Sequence, residues 1–175
     1  MSQQLLTALL KGYEQALGLH FEKYHHHAIR VYHFSVRLAG ASEDEDERYL
    51  LAVSAAFHDL GIWTHGTFDY LGPSELLAKD FLIKQGRPEL IPDVLAFIDL
   101  HHKLRPIRDN RLAEAFRKAD LIDLSLGLIR FGISSELWSD LNLRFPKKGF
   151  HRFIGGKIVK SILQHPWNPL PIVKW

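Results

Sequence analysis

The pair His58-Asp59 closes a run of apolar residues, Leu50-Leu51-Ala52-Val53 and Ala55-Ala56-Phe57, and stands just before Gly61. Adjacent residues on a helix point about 100° apart. A long imidazole and a short carboxylate can still converge on one ion where the helix ends. An ionised aspartate beside so apolar a segment costs several kcal/mol to bury unless a cation or strong hydrogen bonds offset it. Metal binding is thus one reading of the pair; a C-terminal cap, with His58 favoured by the helix dipole, is the other. The chain has eleven histidines and no cysteine. Disulfides, thiolate zinc sites and cysteine nucleophiles are excluded, and any metal must use nitrogen and oxygen ligands.

His27, followed by Ala28-Ile29-Arg30-Val31, precedes the pair, and Lys118-Ala119-Asp120-Leu121-Ile122-Asp123 follows it. In the order His, His-Asp, Asp, each on an expected helix, the chain resembles the HD-domain superfamily of metal-dependent phosphohydrolases over about residues 20–130. The matching elements are His27-x-x-Arg30-Val31, the segment from Ala55 to Gly61, and Ala119-Asp120. The resemblance implies that His27, His58, Asp59 and Asp120 are metal ligands. Such ligands suit Mn²⁺, Fe²⁺, Co²⁺, Ni²⁺, Zn²⁺ or Mg²⁺. Four of them on a six-coordinate ion leave two positions for water and substrate. Asp123 is the rival to Asp120, three residues on and on the same helix face. The Ala-Asp match favours Asp120, which leaves Asp123 to orient a ligand histidine or to stand solvated.

Dinuclear members of the superfamily resemble the pattern His, His-Asp, His, His, Asp. His101-His102 offers the later extra histidine, but no histidine lies between His65 and His101. One strongly bound ion is therefore expected rather than two. His101 is a candidate substrate contact and His102 a proton donor to a leaving group; which of them faces the site is open, and an ordinary helix-end pair is the alternative. His65, in the loop leaving the His-Asp pair, is a further catalytic candidate, and Asp59 is both ligand and proton acceptor. Arg30, one turn from His27, and Arg105, in the basic series Lys103, Arg105, Arg108, Arg111, Arg117 and Lys118, are candidate phosphate contacts, since a guanidinium reads phosphate bidentately. A solubilising helix face is the alternative. Trp63, Phe68 and Tyr70 either wall a pocket or pack the loop. His20, His25, His26, His33, His151 and His165 are assigned structural or surface duty.

These residues must be positioned by helices. Leu5, Leu6, Leu9, Leu10, Tyr13, Ala16 and Leu17 predict one helix over 3–17, stopped by Gly18. A second is predicted over 24–39, ended by Gly40. Ser42 with Glu45 reads as a capping box for a third over 46–60, apolar nearly all round and therefore buried. A loop to Gly72 follows, then a helix from Pro73 to Gln85 closed by Gly86. Further helices are predicted over 92–102, 109–126, 134–141 and 149–164, with an irregular, proline-punctuated tail from Pro166 to Trp175. No segment alternates apolar and polar residues in the strand manner. The expectation is an all-α, single-domain bundle of seven or eight helices over 1–175, its motif-bearing core at about 20–130, with C-terminal helices and tail over 131–175.

A 175-residue chain that is 46% hydrophobic can bury a core without staples. The start Met1-Ser2-Gln3-Gln4-Leu5-Leu6 does not read as a secretory signal, and no apolar run approaches the roughly 20 residues of a membrane span. A cytoplasmic location is expected, with no membrane partner. The formal net charge of +2 gives no reason to expect nucleic acid. The expected partner is a small phosphorylated molecule, nucleotides included, hydrolysed by a metal-activated water. A di-iron oxygenase of the same fold and a non-catalytic ligand-binding module are the alternatives.

Overall fold

The computed structural model describes residues 2–164, 167 and 172–174. Helices account for its architecture: α1 (Ser2–Lys11), α2 (Glu14–Leu17), α3 (Phe21–Ala39), α4 (Glu45–Phe57), α5 (Gly61–Thr64), α6 (Leu71–Lys84), α7 (Ile91–Leu100), α8 (Arg111–Leu124), α9 (Ser135–Arg144) and α10 (Phe150–Gln164). Among the described residues there is no sheet, only an isolated bridge between Lys103 and Lys174. The chain is an all-α bundle whose most extensive helix pair is α3 against α8, flanked by α4, with α1 on α4 and α6 on α7.

Local chemistry explains where these helices begin and end. Gly40 closes α3 in the left-handed region at φ 67°, its N–H donating to Val36 O. At the start of α4 the expected capping box is displaced: Asp44, in extended backbone, accepts from Glu47 N, and Glu45, Asp46 and Glu47 fill the first turn. A carboxylate cap followed by three acids suits the positive end of the dipole better than Ser42 two residues upstream. Every residue of α4 from Leu50 to Phe57 is buried, so this helix runs through the core. Asn110 caps α8 by accepting from Ala113 N at 2.9 Å.

Three expectations need correction. The single N-terminal helix breaks at Gly12-Tyr13, where Gly12 N donates to both Ala8 O and Leu9 O; glycine's weak helix propensity makes this the place to break. The loop after the His-Asp pair opens with a helical turn, α5. There Gly61 N donates to Ser74 Oγ at 2.9 Å, and a Cβ on Gly61 would stand 2.5 Å from Tyr70 O, so only glycine permits this approach. Finally, α7 stops at Leu100, two residues short of the expected end, which frees His101 and His102 from helical divergence. Residues 172–174 of the tail lie beside residues 103–104, with Leu104 N donating to Lys174 O at 2.8 Å. His165 and most of the tail lie outside the described residues. No helix among them is long and apolar enough to cross a membrane.

Candidate metal centre

Four elements bring polar side chains into the core at one point. His27 comes from the middle of α3, His58 and Asp59 from the turn after α4, His101 and His102 from the turn after α7, and Asp120 and Asp123 from α8. His27, His58 and His101 are at most 3% exposed, as are the three aspartates. Tyr24, one turn before His27, fixes the turn carrying the pair: its hydroxyl accepts from Asp59 N and donates to Ala56 O.

The three buried imidazoles share one arrangement. His58 Nδ1 donates to Ala55 O at 3.0 Å, His101 Nδ1 to Ile98 O at 2.6 Å, and His27 Nδ1 to an Asp123 oxygen at 2.7 Å. Each Nδ1 faces an acceptor and so holds a proton, which leaves each Nε2 with a lone pair in the neutral ring. The Nε2 atoms converge. His27 Nε2 is 3.0 Å from His58 Nε2, 3.4 Å from Asp120 Oδ1 and 3.7 Å from Asp59 Oδ2; His101 Nε2 is 3.5 Å from Asp59 Oδ1. His102 presents Nδ1 at 3.5 Å from Asp120 Oδ2, while its Nε2 is hydrogen-bonded to the Tyr70 hydroxyl at 2.8 Å. Phe150, the first residue of α10, stacks on the His27 ring with centroids 4.0 Å apart.

These spacings fit a cation. Donors about 2.1 Å from a common ion stand roughly 3.0–3.4 Å apart in octahedral or tetrahedral geometry. Overlapping triads of donors meet this condition loosely: His27, His58 and Asp120; His58, Asp59 and His101; His101, His102 and Asp120. Independent of spacing, Asp59 Oδ1, His101 Nε2 and both Asp120 oxygens are buried without a hydrogen-bond partner. An unsatisfied buried polar group costs about 1–3 kcal/mol, and more when charged. A divalent cation among these groups would supply the partner such atoms lack. These buried His and Asp groups could hold a metal ion.

Protonation of the metal-free cluster follows from its crowding. Burial alone would lower the His27 pKa, but Asp120 and Asp123 outweigh it and raise it to about 9. Burial pushes His58 down to about 4. His102 falls to about 3, through burial and then its neighbour His101. The Asp59 carboxyl is held well below its ordinary range: burial opposes this, and the surrounding His58 and His101 prevail. Without a cation, the proton on His27 is what keeps the facing Nε2 lone pairs of His27 and His58 from repelling.

Several residues singled out in the sequence are placed differently. Arg30 is not a substrate contact: it is wholly buried, its Nε and Nη2 donate to the two oxygens of Asp123 at 2.6 and 2.8 Å, and its Nη1 donates to Phe145 O. His65 is exposed, hydrogen-bonded to Thr64 Oγ1 and absent from the cluster, because α5 carries it away from the pair. Arg105 is exposed in the segment after α7 and does not reach the site. His101 belongs with the cluster rather than with the substrate, and both members of the His101-His102 pair face inward, since the helix ends before them. Asp123 carries no free oxygen, being taken by Arg30 and His27. His25, His26 and His33 have partners elsewhere, on Thr7, Pro146 and Gln3. His20 lies against Trp63 and Phe153.

A cavity of about 350 Å³ adjoins the cluster, with Asp59, Tyr70, His102 and His151 among its walls. Sequence reading took Tyr70 only as a wall or packing residue and gave His151 structural or surface duty, missing both as polar groups beside the cluster. His151 Nε2 donates to Asp123 O at 2.7 Å and its Nδ1 is buried without a partner. The only signal was its place beside Phe150 at the start of α10. Phe68 lines the same cavity, whereas Trp63 packs between Tyr24 and Phe153. Set against protein-family models, curated proteins and solved structures, the chain matches none.

Proposed function

We propose that this chain is a metal-dependent hydrolase of phosphate esters, of the HD-domain type that its motifs resemble. The observation that carries the reading is the convergence of unpartnered buried donors, on Asp59, Asp120 and His101, beside a cavity that Asp59 lines and that is large enough for a substrate. An abandoned site has no physical reason to retain such charges. A divalent cation, when bound, supplies Lewis acidity toward a phosphoryl oxygen and makes a water easier to deprotonate. His27, His58, Asp59 and Asp120 would hold it, with His101 adjoining. The Arg30-Asp123 pair and the backbone carbonyls of Ala55 and Ile98 keep the three imidazoles in register.

Hydrolysis forms one P–O bond from water, breaks the ester P–O bond, and moves one of the water's protons to the departing oxygen. Asp59, lining the cavity, orients the water. His102 stands at the cavity wall, its ring steadied by Tyr70, as the group proposed to relay that proton to the departing oxygen. One strongly held ion per chain is the reading retained here. A second reading is favoured by one observation: His101 and His102 both enter the cluster, which then holds more donors than one ion requires. Two irons and dioxygen chemistry would use that surplus.

Metal analysis of the purified chain, followed by phosphate release from phosphomonoesters, phosphodiesters and nucleotides with Mn²⁺, Co²⁺, Ni²⁺ or Mg²⁺ added, tests both. About one ion per chain with metal-dependent phosphate release supports the hydrolase. Two irons per chain with oxygen consumption selects the second reading. Failure to bind any of these ions rejects both.

A further inference from the structure

The cavity beside the cluster is unlike a nucleotide pocket. Away from Asp59, Tyr70, His102 and His151, its described walls are Phe68, Leu124 and Leu126 at and just past the end of α8, Ile154 and Ile158 on α10, and Ile172 and Val173. Among the described residues no lysine or arginine lines it. The buried basic groups nearby are committed elsewhere: Arg30 to Asp123, and Arg117 to Glu114 and Lys103 O. A base and a ribose carry many donors and acceptors, and walls so largely apolar would leave most of them unpaired, at a cost for each. A hydrocarbon group has no such penalty and gains from every methylene it buries.

The cavity's shape is also held open. The wall formed by residues 172–173 is pinned by the Leu104–Lys174 hydrogen bond. On α10, Gly155 lines the space, and a Cβ there would meet nothing within 4 Å. A volume of about 350 Å³ holds roughly a dozen groups the size of a water molecule.

We infer that the site takes a phosphate monoester of an apolar alcohol, an aliphatic chain or small ring system of about ten carbons, whose hydrocarbon part fills this cavity while the phosphate meets the cluster. The phosphate half of the inference rests on the function proposed above. The hydrocarbon half rests on the cavity alone. Negative charge on the phosphate is met by the bound cation and the histidines, since among the described residues no guanidinium lines the cavity.

The test separates the two halves. Butyl-, hexyl-, octyl- and decylphosphonate, which cannot be hydrolysed, are titrated calorimetrically into the full chain with and without Mn²⁺. Adenosine monophosphate is titrated into the metal-free chain for comparison. Affinity should rise about fourfold per methylene, with an increasingly negative heat-capacity change, and level off near decyl. Manganese should shift every affinity without changing that slope. In Gly155→Leu, which fills the space and favours the helix, the plateau should arrive at a shorter chain. In Ile158→Asp the slope should collapse. Affinity independent of chain length, or adenosine monophosphate binding more tightly than hexylphosphonate, overturns the inference. If the slope survives but no phosphate ester is turned over, the hydrocarbon site stands and the proposed reaction falls.

Discussion

Asp120 and Asp123 stand one turn apart on α8, both about 1% exposed, and their surroundings are opposite. Asp123 is saturated. Arg30 donates to both of its oxygens, His27 Nδ1 donates to one of them, and its carboxyl is held far below the ordinary range, the hydrogen bonds of Arg30 and His27 overcoming burial. Neither oxygen of Asp120 has a hydrogen-bond partner, and its nearest neighbours are imidazole nitrogens at 3.4 Å and beyond. One layer of the core is therefore a finished salt bridge that orients a ring. The layer beside it, with Asp59 and His101, is an unfinished one, a set of unpartnered donors that could hold a metal ion. Burial and residue type are the same in both, and only the inventory of partners separates a structural charge from a site.

The largest effect expected is on the unfinished layer. Asp59→Asn should abolish metal-dependent activity and sharply weaken metal retention, because a neutral amide is a poorer ligand for a divalent cation. Its fold should survive, since Asp59 is not part of the saturated pair. Full metal occupancy with normal turnover in this variant would erase the distinction between the layers.

The saturated layer should answer in stability instead. Asp123→Ala leaves the Arg30 guanidinium buried without its carboxylate, which costs about 3–5 kcal/mol, or a Tm lower by roughly 10 °C for a chain of this size. In metal-free protein Asp120→Ala removes a carboxylate that faces protonated His27 without a hydrogen bond, and Tm should fall by less than in Asp123→Ala. Metal content should rank the other way, with Asp120→Ala losing more than Asp123→Ala. Thermal melts in chelator, paired with metal analysis, read both orders, and a matched loss of Tm in the two variants would mean that Asp120 has a partner after all.

The same contrast shows what could be read from the sequence. The all-helical class, the eight longer helices, the burial of α4 and the order of His27, His58-Asp59 and Asp120 were legible, because periodicity, local caps and motif carry them. Asp120 and Asp123 were separable only by motif, since residues three apart share a face. Arg30 was misassigned for a related reason: its partner lies 93 positions away, and nothing local says which charge will meet which. His101 and His102 turned on where α7 stops, a boundary of two residues. His151 and the apolar cavity depend on how α10 packs across the cluster, which no local pattern encodes.

Metal addition gives a smaller and more specific effect. Ligation stabilises the native state by about 2.7 kcal/mol at a hundredfold excess over Kd, so saturating Mn²⁺ should raise the wild-type Tm by roughly 5–10 °C. That gain should vanish in Asp120→Ala and persist, from a lower starting point, in Asp123→Ala. An equal gain in all three proteins would place the ion outside the cluster.

The smallest effect concerns a histidine away from both layers, and it separates acid sensitivity due to the cluster from that of the scaffold. His25 joins α3 to α1 through a 2.9 Å hydrogen bond between its Nε2 and Thr7 Oγ1. Burial first, and the neighbouring His26 second, lower its pKa to about 4. In the unfolded chain the value is about 6.5. A folded pKa below the unfolded one means that the unfolded state binds the proton first. The stability contributed by neutral His25 is therefore complete above pH 6.5 and is lost as pH falls toward 4. His25 is only part-buried, so solvent screening reduces the effect to about 1–2 kcal/mol, or roughly 3–6 °C in Tm. His25→Gln keeps a hydrogen-bonding group near Thr7 and removes the titration. Between pH 7 and pH 5, in chelator, its Tm should fall by that much less than the wild type's. Because His25 lies outside the donor set, saturating metal should leave this difference between the two proteins in place. An identical acid drop in both would assign the whole pH dependence to the cluster, where His58 and His102 titrate in the same direction.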